Sequence, residues 1–502
     1  MKPGPSAEQV AQFRELVLRR LGLEFDESKL SNLARVLALH AGADSAAYLA
    51  MLAAAPEPAE ALHRLAVDLT VTETYFYRNI EQIQAYAETA LPACRQAREG
   101  QPVRVLSAGC ASGEEPYTLA IAGREAGGWA PGGLEVRAVD ANPAMLAKAA
   151  RARYSSWSLR ELKPDMRARW FTREGEMYLL SDAIRQSVRF ERRNLAVDDA
   201  ELWAPGRYDI VFCRNVLMYF SPAQAQATVA RIAAALAPGG YLFLGHAETL
   251  RGLSQDFHLC HTHATFYYQR KLDAGAAAPA ADLPASVLAP WSGERPRPAL
   301  PDDLAWVDVI ARAAQRIDTL AMAAPQRDAG RPAPEQPDLR RALLCLQQEQ
   351  FGQSLALIGK LPQEHADDPD VLLLKAISLS QSGALAQAQE VCRQLLARDE
   401  LHAGAHYVLA LCGEEGSDYD MALAHYRSAA YLDPGFALAR LHIGVLERRR
   451  GEAEAARRDL AQALVLLQHE DPARLLLFGG GFPRNALIGL CRAELAAFGA
   501  AA

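Results

Sequence analysis

The feature that most constrains the fold is a 34-residue period in the C-terminal part of the chain. Four sets of positions keep this spacing: Ala376, Ala410 and Gly444; Ala388, Ala422 and Ala456; Cys392, Tyr426 and Leu460; and Leu395, Ala429 and Ala463. Small residues recur at fixed points because paired helices, and neighbouring pairs, must approach closely there. The period therefore predicts an α-solenoid of stacked helix pairs.

The repeated units resemble the tetratricopeptide repeat, which has this length. Asp433 and Pro434 close one unit, and Asp399 stands at the matching place in the unit before. A fourth, degraded unit falls around residues 342–362. We predict tetratricopeptide repeats over residues 338–470 and a C-terminal tail helix over 471–502. The repeats offer a concave surface to a protein partner that the sequence does not identify.

Residues 272–337 differ from both halves of the chain. They hold 10 of its 28 prolines, together with many alanines and charged residues. Such a segment cannot bury enough apolar area to offset the entropy lost on ordering. We interpret it as an Ala/Pro-rich linker, in which residues 304–320 have the spacing of a short helix.

The first half of the chain changes pattern near residue 98. Residues 6–98 lack strand alternation and predict an N-terminal helical subdomain. Residues 99–271 alternate apolar strands with helical stretches, which predicts an α/β domain with a parallel, Rossmann-like sheet. The clearest strands are residues 103–108, 135–139, 208–213 and 241–244, and residues 257–268 indicate one final strand.

Glycines and a carboxylate follow the first two strands. Gly109 and Gly113 bracket the first turn, although their spacing differs from that of dinucleotide-binding loops and a plain strand-to-helix turn is an alternative. Asp140 ends the second strand, where a carboxylate can accept both hydroxyls of a ribose; a solvated surface aspartate is the alternative. Acidic residues without a compensating lysine favour a cationic nucleoside cofactor, S-adenosylmethionine.

Two further segments are candidates for the same site. Asn215 and Tyr219 follow the third strand and face one cleft if the chain turns into a helix there. Residues 69–78 pack hydroxyls, aromatic rings and Arg78 into ten positions. A helix cap formed by Thr72 or Thr74 before a buried aromatic turn is the structural alternative.

Five strings in the first half together resemble the chemotaxis receptor methyltransferase family, CheR. They are residues 74–78, 109–117, 193–195, 212–220 and 245–248. The resemblance, from about Phe13 to Tyr268, implies an S-adenosylmethionine-dependent protein-glutamate O-methyltransferase with a small inserted antiparallel hairpin. It also implies that the substrates are cytoplasmic helices of methyl-accepting chemotaxis-type receptors. The added repeats and residues 477–482 resemble the branch tied to Wsp-type surface-sensing arrays.

The resemblance also implies site residues. The cofactor pocket would be lined by Thr72, Thr74, Arg78, Gly109, Glu114, Asp140, Asn194, Leu195, Arg214 and Asn215. Arg78 and Tyr219 would flank the transferred methyl group as catalytic residues. A glutamate side chain, with a reference pKa of about 4.3, is ionised near neutral pH, so that it needs no general base to attack the methyl carbon.

Three departures from the family are visible. Thr72 stands where many relatives carry asparagine. Residues 28–40, where relatives present a row of basic residues to the receptor, keep only Lys29 and Arg35. Residues 173–176 make a short connection, whereas relatives that grip a receptor-tail peptide have an extended loop there. Tail tethering is therefore not expected, and the repeats are expected to localise the enzyme instead.

Other functions fit the sequence less well. Eight scattered cysteines without a C-x-x-C pair are typical of a cytoplasmic chain, and no apolar run is long enough for a membrane span. A net charge of −7 argues against a nucleic-acid partner. On a single strand, His258 and Cys260 face away from His261 and His263, so no metal site is predicted. The remaining alternatives are a non-catalytic adaptor with a relic methyltransferase fold and a methyltransferase for another substrate class.

Overall fold

The structure is a computed structural model that describes residues 5–42, 44–54, 60–70, 72–127, 133–246, 248–272, 339–348, 350–362, 365–479 and 482–498. The chain divides into two compact units, Met1–Leu288 and Ala289–Ala502. Apart from Leu272, the predicted linker over residues 272–337 lies outside the described residues, as does its candidate helix.

The first unit begins with four helices that build a small core of their own. They are α1 (Ala7–Leu21), α2 (Leu30–Ala41), α3 (Ser45–Ala54) and α4 (Glu60–Leu69), with a short 3₁₀ turn at Glu27–Lys29. Ser6 and Gln9 form a capping box at the start of α1, and Gly22, with φ of 74°, ends it. Phe13 and Leu37 are among the buried side chains where these helices meet.

A broken helix leads from these helices into the sheet domain. It runs as α5 (Ile80–Ala85), a π turn at Tyr86–Ala90, and α6 (Leu91–Ala97). The remaining described helices of the unit are α7 (Glu114–Gly127), α8 (Pro143–Arg151), α9 (Pro164–Trp170), α10 (Asp182–Arg185) and α11 (Pro222–Ala235). The helical subdomain and the alternating pattern predicted from the sequence are thus both present.

The strands of the first unit form two sheets. In chain order they are β1 (Val103–Ala108), β2 (Leu134–Asp140), β3 (Arg153–Ser155), β4 (Phe171–Glu174), β5 (Met177–Leu180), β6 (Val188–Arg192), β7 (Tyr208–Cys213), β8 (Leu236–Leu244), β9 (Phe257–Thr262) and β10 (Thr265–Arg270). The large sheet has the order β6-β2-β1-β7-β8-β10-β9, and its first five strands are parallel. The strand order reverses direction between β1 and β7, which is where open α/β sheets bind ligands.

The small sheet has the order β3-β5-β4 and is antiparallel. It contains the inserted hairpin predicted from the resemblance, and β3 adds a third strand to it. Tyr154 of β3 pairs with Tyr178 of β5. The connection between β4 and β5 is only Gly175 and Glu176, and Gly175 has φ of 63°, as a tight two-residue turn requires.

Two strand predictions are corrected by the structure. Residues 257–268 form part of a hairpin, β9 and β10, and not one strand, because His263 and Ala264 both adopt left-handed backbone conformations with φ of 52° and 54°. The fourth predicted strand begins at Leu236 and not at Tyr241. Residues 238–240, which were expected to precede this strand, belong to it, and a register irregularity beside Tyr208 accommodates them.

The second unit consists of helix pairs. Its described helices are α12 (Leu339–Gln347), α13 (Phe351–Ile358), α14 (Pro369–Gln381), α15 (Leu385–Arg398), α16 (Ala403–Glu415), α17 (Tyr419–Leu432), α18 (Ala437–Arg449), α19 (Ala453–His469), α20 (Pro472–Phe478) and α21 (Arg484–Ala497). The first helices of three successive pairs begin one 34-residue period apart, at Pro369, Ala403 and Ala437, which confirms the predicted solenoid. The tail holds two helices, α20 and α21, and not the single helix predicted.

No single helix in the described ranges has the length and apolar composition to cross a membrane. Helices α2 and α3 meet the length and composition criteria only when taken together, and they are bent by 88° relative to each other.

Candidate active site

The candidate site lies at the carboxyl edge of the large sheet. The loops that follow β1, β2, β6, β7 and β8 all leave from this edge, because those five strands are parallel. They carry residues that are distant in sequence, from Gly109 after β1 to Glu248 after β8. The site is therefore a product of the topology and not of any one segment.

The loop after β1 is held close to its neighbours. The backbone N–H groups of Gly109 and Cys110 donate to the carbonyl of Val139 at 2.8 and 3.0 Å. Gly109 has φ of 80°, and a Cβ there would lie 2.5 Å from Cγ2 of Val216. The loop also contains Ala111 with φ of 45°, a costly conformation for a residue with a side chain. Such a loop is fixed by its surroundings before any ligand binds.

Asp140 ends β2 with both carboxylate oxygens already oriented. Oδ2 accepts a hydrogen bond from the Ala111 backbone N–H at 2.8 Å, and Oδ1 accepts one from the Asn142 N–H at 2.8 Å. Burial raises the pKa of Asp140, and these backbone bonds oppose the rise. Each oxygen keeps a further acceptor position. The arrangement suits a ribose, because each carboxylate oxygen can accept a hydrogen bond from one of the two ribose hydroxyls.

Glu114 begins α7 and is almost completely buried, with 1% of its surface exposed. Its carboxylate oxygens accept hydrogen bonds from the hydroxyls of Ser112, at 2.7 Å, and Ser158, at 3.3 Å. Burial raises its pKa despite these bonds. The backbone carbonyl of Ser158 in turn accepts a hydrogen bond from the Phe76 N–H at 3.0 Å. Glu114 thus joins the loop after β1 to residues 72–78.

Arg214 follows β7 and links three segments of the site. Its guanidinium donates to Oε2 of Glu115 at 3.2 Å, to the Arg78 carbonyl at 2.8 Å and to the side-chain oxygen of Asn79. Burial lowers the pKa of Arg214, and the charge of Glu115 opposes this effect. Glu115 also accepts a 2.7 Å bond from Ser107 in β1. Arg214 therefore fixes the backbone beside Arg78 to the sheet.

Glu248 organises the loop that carries Asn215 and Tyr219. Its buried carboxylate accepts backbone N–H bonds from Asn215, Val216, Met218 and Gly245 at 2.7, 2.8, 3.2 and 2.8 Å. Burial raises the pKa of Glu248, and the four bonds oppose the rise. Asn215 has φ of 57°, a conformation that asparagine tolerates better than most residues. One carboxylate thus holds two strand-end loops together.

Tyr219 and Arg78 lie near each other at this edge. Tyr219 ends a 3₁₀ turn, Leu217–Tyr219, where the sequence analysis considered a helix. Burial raises the pKa of Tyr219, whereas the charge of Arg78 lowers it. Arg78 donates to the Glu73 carbonyl at 2.8 Å and its guanidinium carbon lies 5.8 Å from the centre of the Tyr75 ring. Both side chains are only partly buried, as are those of Thr72 and Thr74 in the adjoining loop.

Asn194 and Leu195 follow β6 at the far side of the same edge. The side-chain amide of Asn194 donates to the Arg20 carbonyl and accepts from the Ala196 N–H, both at 3.0 Å. Leu195 is buried, and its carbonyl accepts a 3.0 Å bond from Arg231. In the structure, the Asn194 side chain therefore joins this edge to the end of α1.

Comparisons with known proteins agree with this geometry. Residues 72–266 match the family described as CheR methyltransferase, SAM binding domain. The chain is 31% identical over 389 residues to the probable biofilm formation methyltransferase WspC of Pseudomonas putida, covering 77% of this chain and 82% of that protein.

The chain belongs to the CheR methyltransferase family.

Two further relatives differ in how much of this chain they match. The probable WspC of Pseudomonas aeruginosa is 29% identical over 456 residues, which cover 89% of this chain and 96% of the relative. Chemotaxis protein methyltransferase 2 of Vibrio cholerae is 38% identical over 195 residues, which cover 38% of this chain and 67% of that protein. The first similarity extends through the repeats, whereas the second is limited to a much shorter part of the chain.

As a CheR-family enzyme, the protein uses S-adenosylmethionine as its methyl donor. The residues present fit this cofactor. Asp140 has two oriented carboxylate oxygens, an arrangement that suits ribose hydroxyls, and each of them accepts a hydrogen bond from a backbone N–H group. Within the described ranges, no group of three or more histidine, cysteine or acidic residues could hold a metal ion.

The structure adds residues of this CheR-family site that the sequence analysis did not select. They are Asn79, Glu115, Ser158 and Glu248. Glu248 belongs to one of the strings that carry the resemblance, and a buried acidic residue after a parallel strand was the available signal. The sequence signal for Asn79 was weaker. Nothing in residues 74–78 indicates that the next residue accepts a hydrogen bond from Arg214.

Proposed function

We propose that this enzyme transfers methyl groups to glutamate side chains in the cytoplasmic helices of methyl-accepting chemotaxis-type receptors, and that it therefore works in the cytoplasm. The observation that carries the proposal is the proximity of Arg78 and Tyr219 to the edge that carries Asp140 and Asn215. A relative named as a chemotaxis protein methyltransferase supports the substrate class.

Methyl transfer depends on the positioning of the two reacting groups more than on proton transfer. S-adenosylmethionine, when bound, supplies a methyl group on a positively charged sulfur. A substrate glutamate is already a carboxylate near neutral pH, since its ordinary pKa is about 4.3. Holding two reacting groups in line can contribute up to roughly 7–11 kcal/mol to lowering a barrier. The side chains of this chain would provide that alignment.

We assign Arg78 to the substrate carboxylate. Its guanidinium has five N–H donors, and the bond to the Glu73 carbonyl uses one of them. The carbonyl of the same residue accepts from Arg214, so the backbone that carries the guanidinium is tied to the sheet. A donor fork on a fixed backbone suits two-point recognition of a carboxylate.

We assign Tyr219 to the methyl group and its sulfur. Its turn is fixed from both sides: Glu248 accepts from Met218, and the carbonyl of Tyr219 accepts from the Glu24 N–H at 2.8 Å. Because burial raises its pKa, the phenol stays protonated and neutral near pH 7. A neutral oxygen can orient a cationic group without forming a competing ion pair.

The remaining cofactor assignments are part of the proposal. Thr72, Thr74, Gly109, Glu114, Asn194, Leu195, Arg214 and Asn215 would line or support the pocket. The contacts described above favour two roles among them. Asp140 and the loop at Gly109 would contact the cofactor, whereas Glu114 and Arg214, both buried and bonded to neighbouring segments, would support the loops that do so.

The test is transfer of a labelled methyl group from S-adenosylmethionine to membranes that carry a chemotaxis-type receptor, with the full-length enzyme. Label released as methanol by mild base identifies a carboxyl ester. Arg78→Ala should lower kcat/KM for the receptor by at least tenfold and leave cofactor affinity nearly unchanged. Arg64→Ala, which removes an exposed arginine from α4, is the matched control. Full turnover by the Arg78 variant would contradict this role, and base-stable label would contradict glutamate methylation.

A further inference from the structure

The segment α20 does not continue the solenoid. The position one period after Ala437 is Asp471, so another first helix would begin there and pack on the last pair. In a solenoid, each unit contacts only its neighbours. Yet Cα atoms of α20 come within 8 Å of those of α12, the first described helix of the unit. The segment therefore passes back over the pairs and does not extend the stack.

Aromatic contacts identify the surface that α20 covers. The ring of Phe478 lies 5.3 Å from that of Tyr407 in α16, at 80°, and 5.3 Å from that of Phe436, at 62°. The Tyr407 hydroxyl donates to the Phe478 carbonyl at 3.3 Å. Phe478 and its neighbour Leu477 are almost fully buried, at 3% and 2% exposure. The covered surface is thus the face formed by the first helices of the pairs, which we call the inner face.

An ion pair fixes the other end of the segment. Arg474 forms ion pairs with Oδ2 of Asp433 at 3.0 Å and with Oε1 of Glu470 at 3.3 Å, and its guanidinium carbon lies 5.3 Å from the centre of the Phe436 ring. Glu470 is itself held, because its other oxygen accepts the Ala437 N–H at 2.8 Å. The inner face therefore offers a buried acidic site beside an aromatic one.

The structure of α20 itself does little to hold this segment on the inner face. Seven residues are too few for a helix that is stable without contacts. Gly479 follows directly, and a glycine allows the backbone to change direction at little steric cost. Arg474, Leu477 and Phe478 stand at positions i, i+3 and i+4, which share one face of a helix.

We propose that the inner face is a docking site for a short helical segment of a partner protein, and that α20 fills it until that segment displaces it. The partner segment would carry a cation at one position, an aliphatic residue three positions later and an aromatic residue four positions later. This is the pattern with which α20 itself binds the aromatic and acidic groups of the face.

The test uses a fluorescein-labelled synthetic peptide with the sequence of residues 470–479 as the probe and the full chain as the receptor. In the wild-type chain, α20 competes at an effective concentration of about 1 mM, which would weaken a probe of about 0.1 mM affinity roughly tenfold. Arg474→Glu with Phe478→Ala removes that competitor in the chain. We expect this double variant to bind the probe about tenfold more tightly than the wild type does.

Two controls make the result specific. Arg492→Glu with Phe482→Ala changes the same residue types at exposed positions outside the contact and should leave probe affinity at the wild-type value. Adding Asp433→Asn to the Arg474/Phe478 variant removes the acidic partner while keeping an acceptor for the Gly435 N–H, and should weaken the probe about tenfold.

Three outcomes would overturn the proposal. They are equal probe affinity in the wild type and the Arg474/Phe478 variant, a gain that the exposed control shares, and a gain that Asp433→Asn leaves intact. Far-UV circular dichroism identifies a variant that fails to fold. In that case Phe478→Leu alone, which removes the ring contacts with Tyr407 and Phe436 from the chain but not from the probe, takes its place, and it should still raise probe affinity measurably above the wild-type value.

Discussion

The two units of this protein hold their functional surfaces in contrasting ways. In the methyltransferase unit, single polar side chains, among them the part-buried Asp140 and the buried Glu248, hold loops that leave different strands. In the repeat unit, small residues at repeated positions allow helices to approach, as Gly444 does beside Leu460. A function built on unique contacts should be lost by single substitutions, whereas one built on repeated contacts should change mainly through stability.

The largest effect is expected at Asp140. Asp140→Ala removes the two carboxylate oxygens that we propose accept the ribose hydroxyls, and hydrogen bonds to a charged group contribute about 1.5–3 kcal/mol each. S-adenosylmethionine affinity should therefore fall about 10²–10⁴-fold, measured by isothermal titration calorimetry on the full chain. Asp182→Ala, an exposed carboxylate in α10, is the control and should bind normally. An Asp140 variant within threefold of wild-type affinity would remove this residue from the cofactor site.

From the sequence, the candidate site could be assigned to one edge of the sheet, because parallel strands bring their carboxyl ends together. Gly109, Asp140 and Asn215 could be selected for that reason before any contact was known. The residues that hold these three in place could not be selected from the sequence. Glu248 accepts from Asn215 across 33 positions, and Arg214 donates to Asn79 across 135, and these pairings depend on the folded sheet.

In the repeat unit, the period predicted the helix pairs well because each pair repeats the same local packing. It failed where the repetition ends. Nothing in the spacing indicates that α20 returns to the inner face, since this depends on the contacts of Arg474 and Phe478 with residues of earlier pairs. The β9–β10 hairpin was missed for a related reason: its left-handed turn is made by His263 and Ala264, without the usual glycine or asparagine.

The second prediction concerns acid sensitivity of the repeats. Burial lowers the pKa of His406 to about 3 and that of His425 to about 4. Nε2 of His406 lies 3.1 Å from the Glu400 carbonyl and its Nδ1 lies 2.9 Å from Nδ1 of His425. With pKa values this low, both rings are neutral near pH 7, so that His406, which donates to that carbonyl through Nε2, accepts at Nδ1 and His425 donates across the pair. Protonation of His406 at Nδ1 would place its new N–H group against the Nδ1–H group of His425.

The sign of this effect follows from the lowered pKa values. The unfolded chain binds protons below about pH 6.5 while the folded pair does not, so stability is full above that pH and is lost as the pH falls. Between pH 7 and pH 5 the pair should cost about 2–4 kcal/mol of unfolding free energy, at about 1.4 kcal/mol per pKa unit. Urea unfolding followed by circular dichroism at both pH values measures it. The variant His406→Gln with His425→Gln should lose this pH dependence. If its pH dependence were the same as that of the wild type, groups other than this pair would cause the acid sensitivity.

The third prediction returns to the methyltransferase unit. Glu248→Gln replaces a charged acceptor of four N–H bonds by an amide whose NH₂ group faces backbone donors. We expect a loss of about 1.5–3 kcal/mol in the stability of this unit and a lower kcat, because the loop of Asn215 and Tyr219 loses its anchor. Tryptophan fluorescence reports mainly on this unit, since four of the six tryptophans lie within Met1–Leu288 and the other two, Trp291 and Trp306, precede the repeats.

The control for Glu248 distinguishes loop positioning from general stability. Glu174→Gln, in β4 of the small sheet, changes the same side chain away from the strand-end loops. It should leave both kcat and the fluorescence transition close to wild type. If Glu248→Gln lowered stability but kept the wild-type kcat well below its melting temperature, the carboxylate would have no part in positioning the loop.

The smallest effect is expected at Gly444, where two terms of opposite sign nearly balance. Gly444→Ala gains about 1 kcal/mol of helix propensity. The new Cβ would lie 2.6 Å from Cγ of Leu460 and 3.0 Å from its backbone nitrogen, and overpacking of this kind costs about 1–3 kcal/mol. A net loss of about 1 kcal/mol should appear in the circular dichroism transition, with S-adenosylmethionine affinity unchanged. Gly489→Ala has the same propensity gain in α21 but meets nothing within 4 Å, so it should be stabilising. Equal signs for the two variants would mean that close helix approach is not what the 34-residue period preserves.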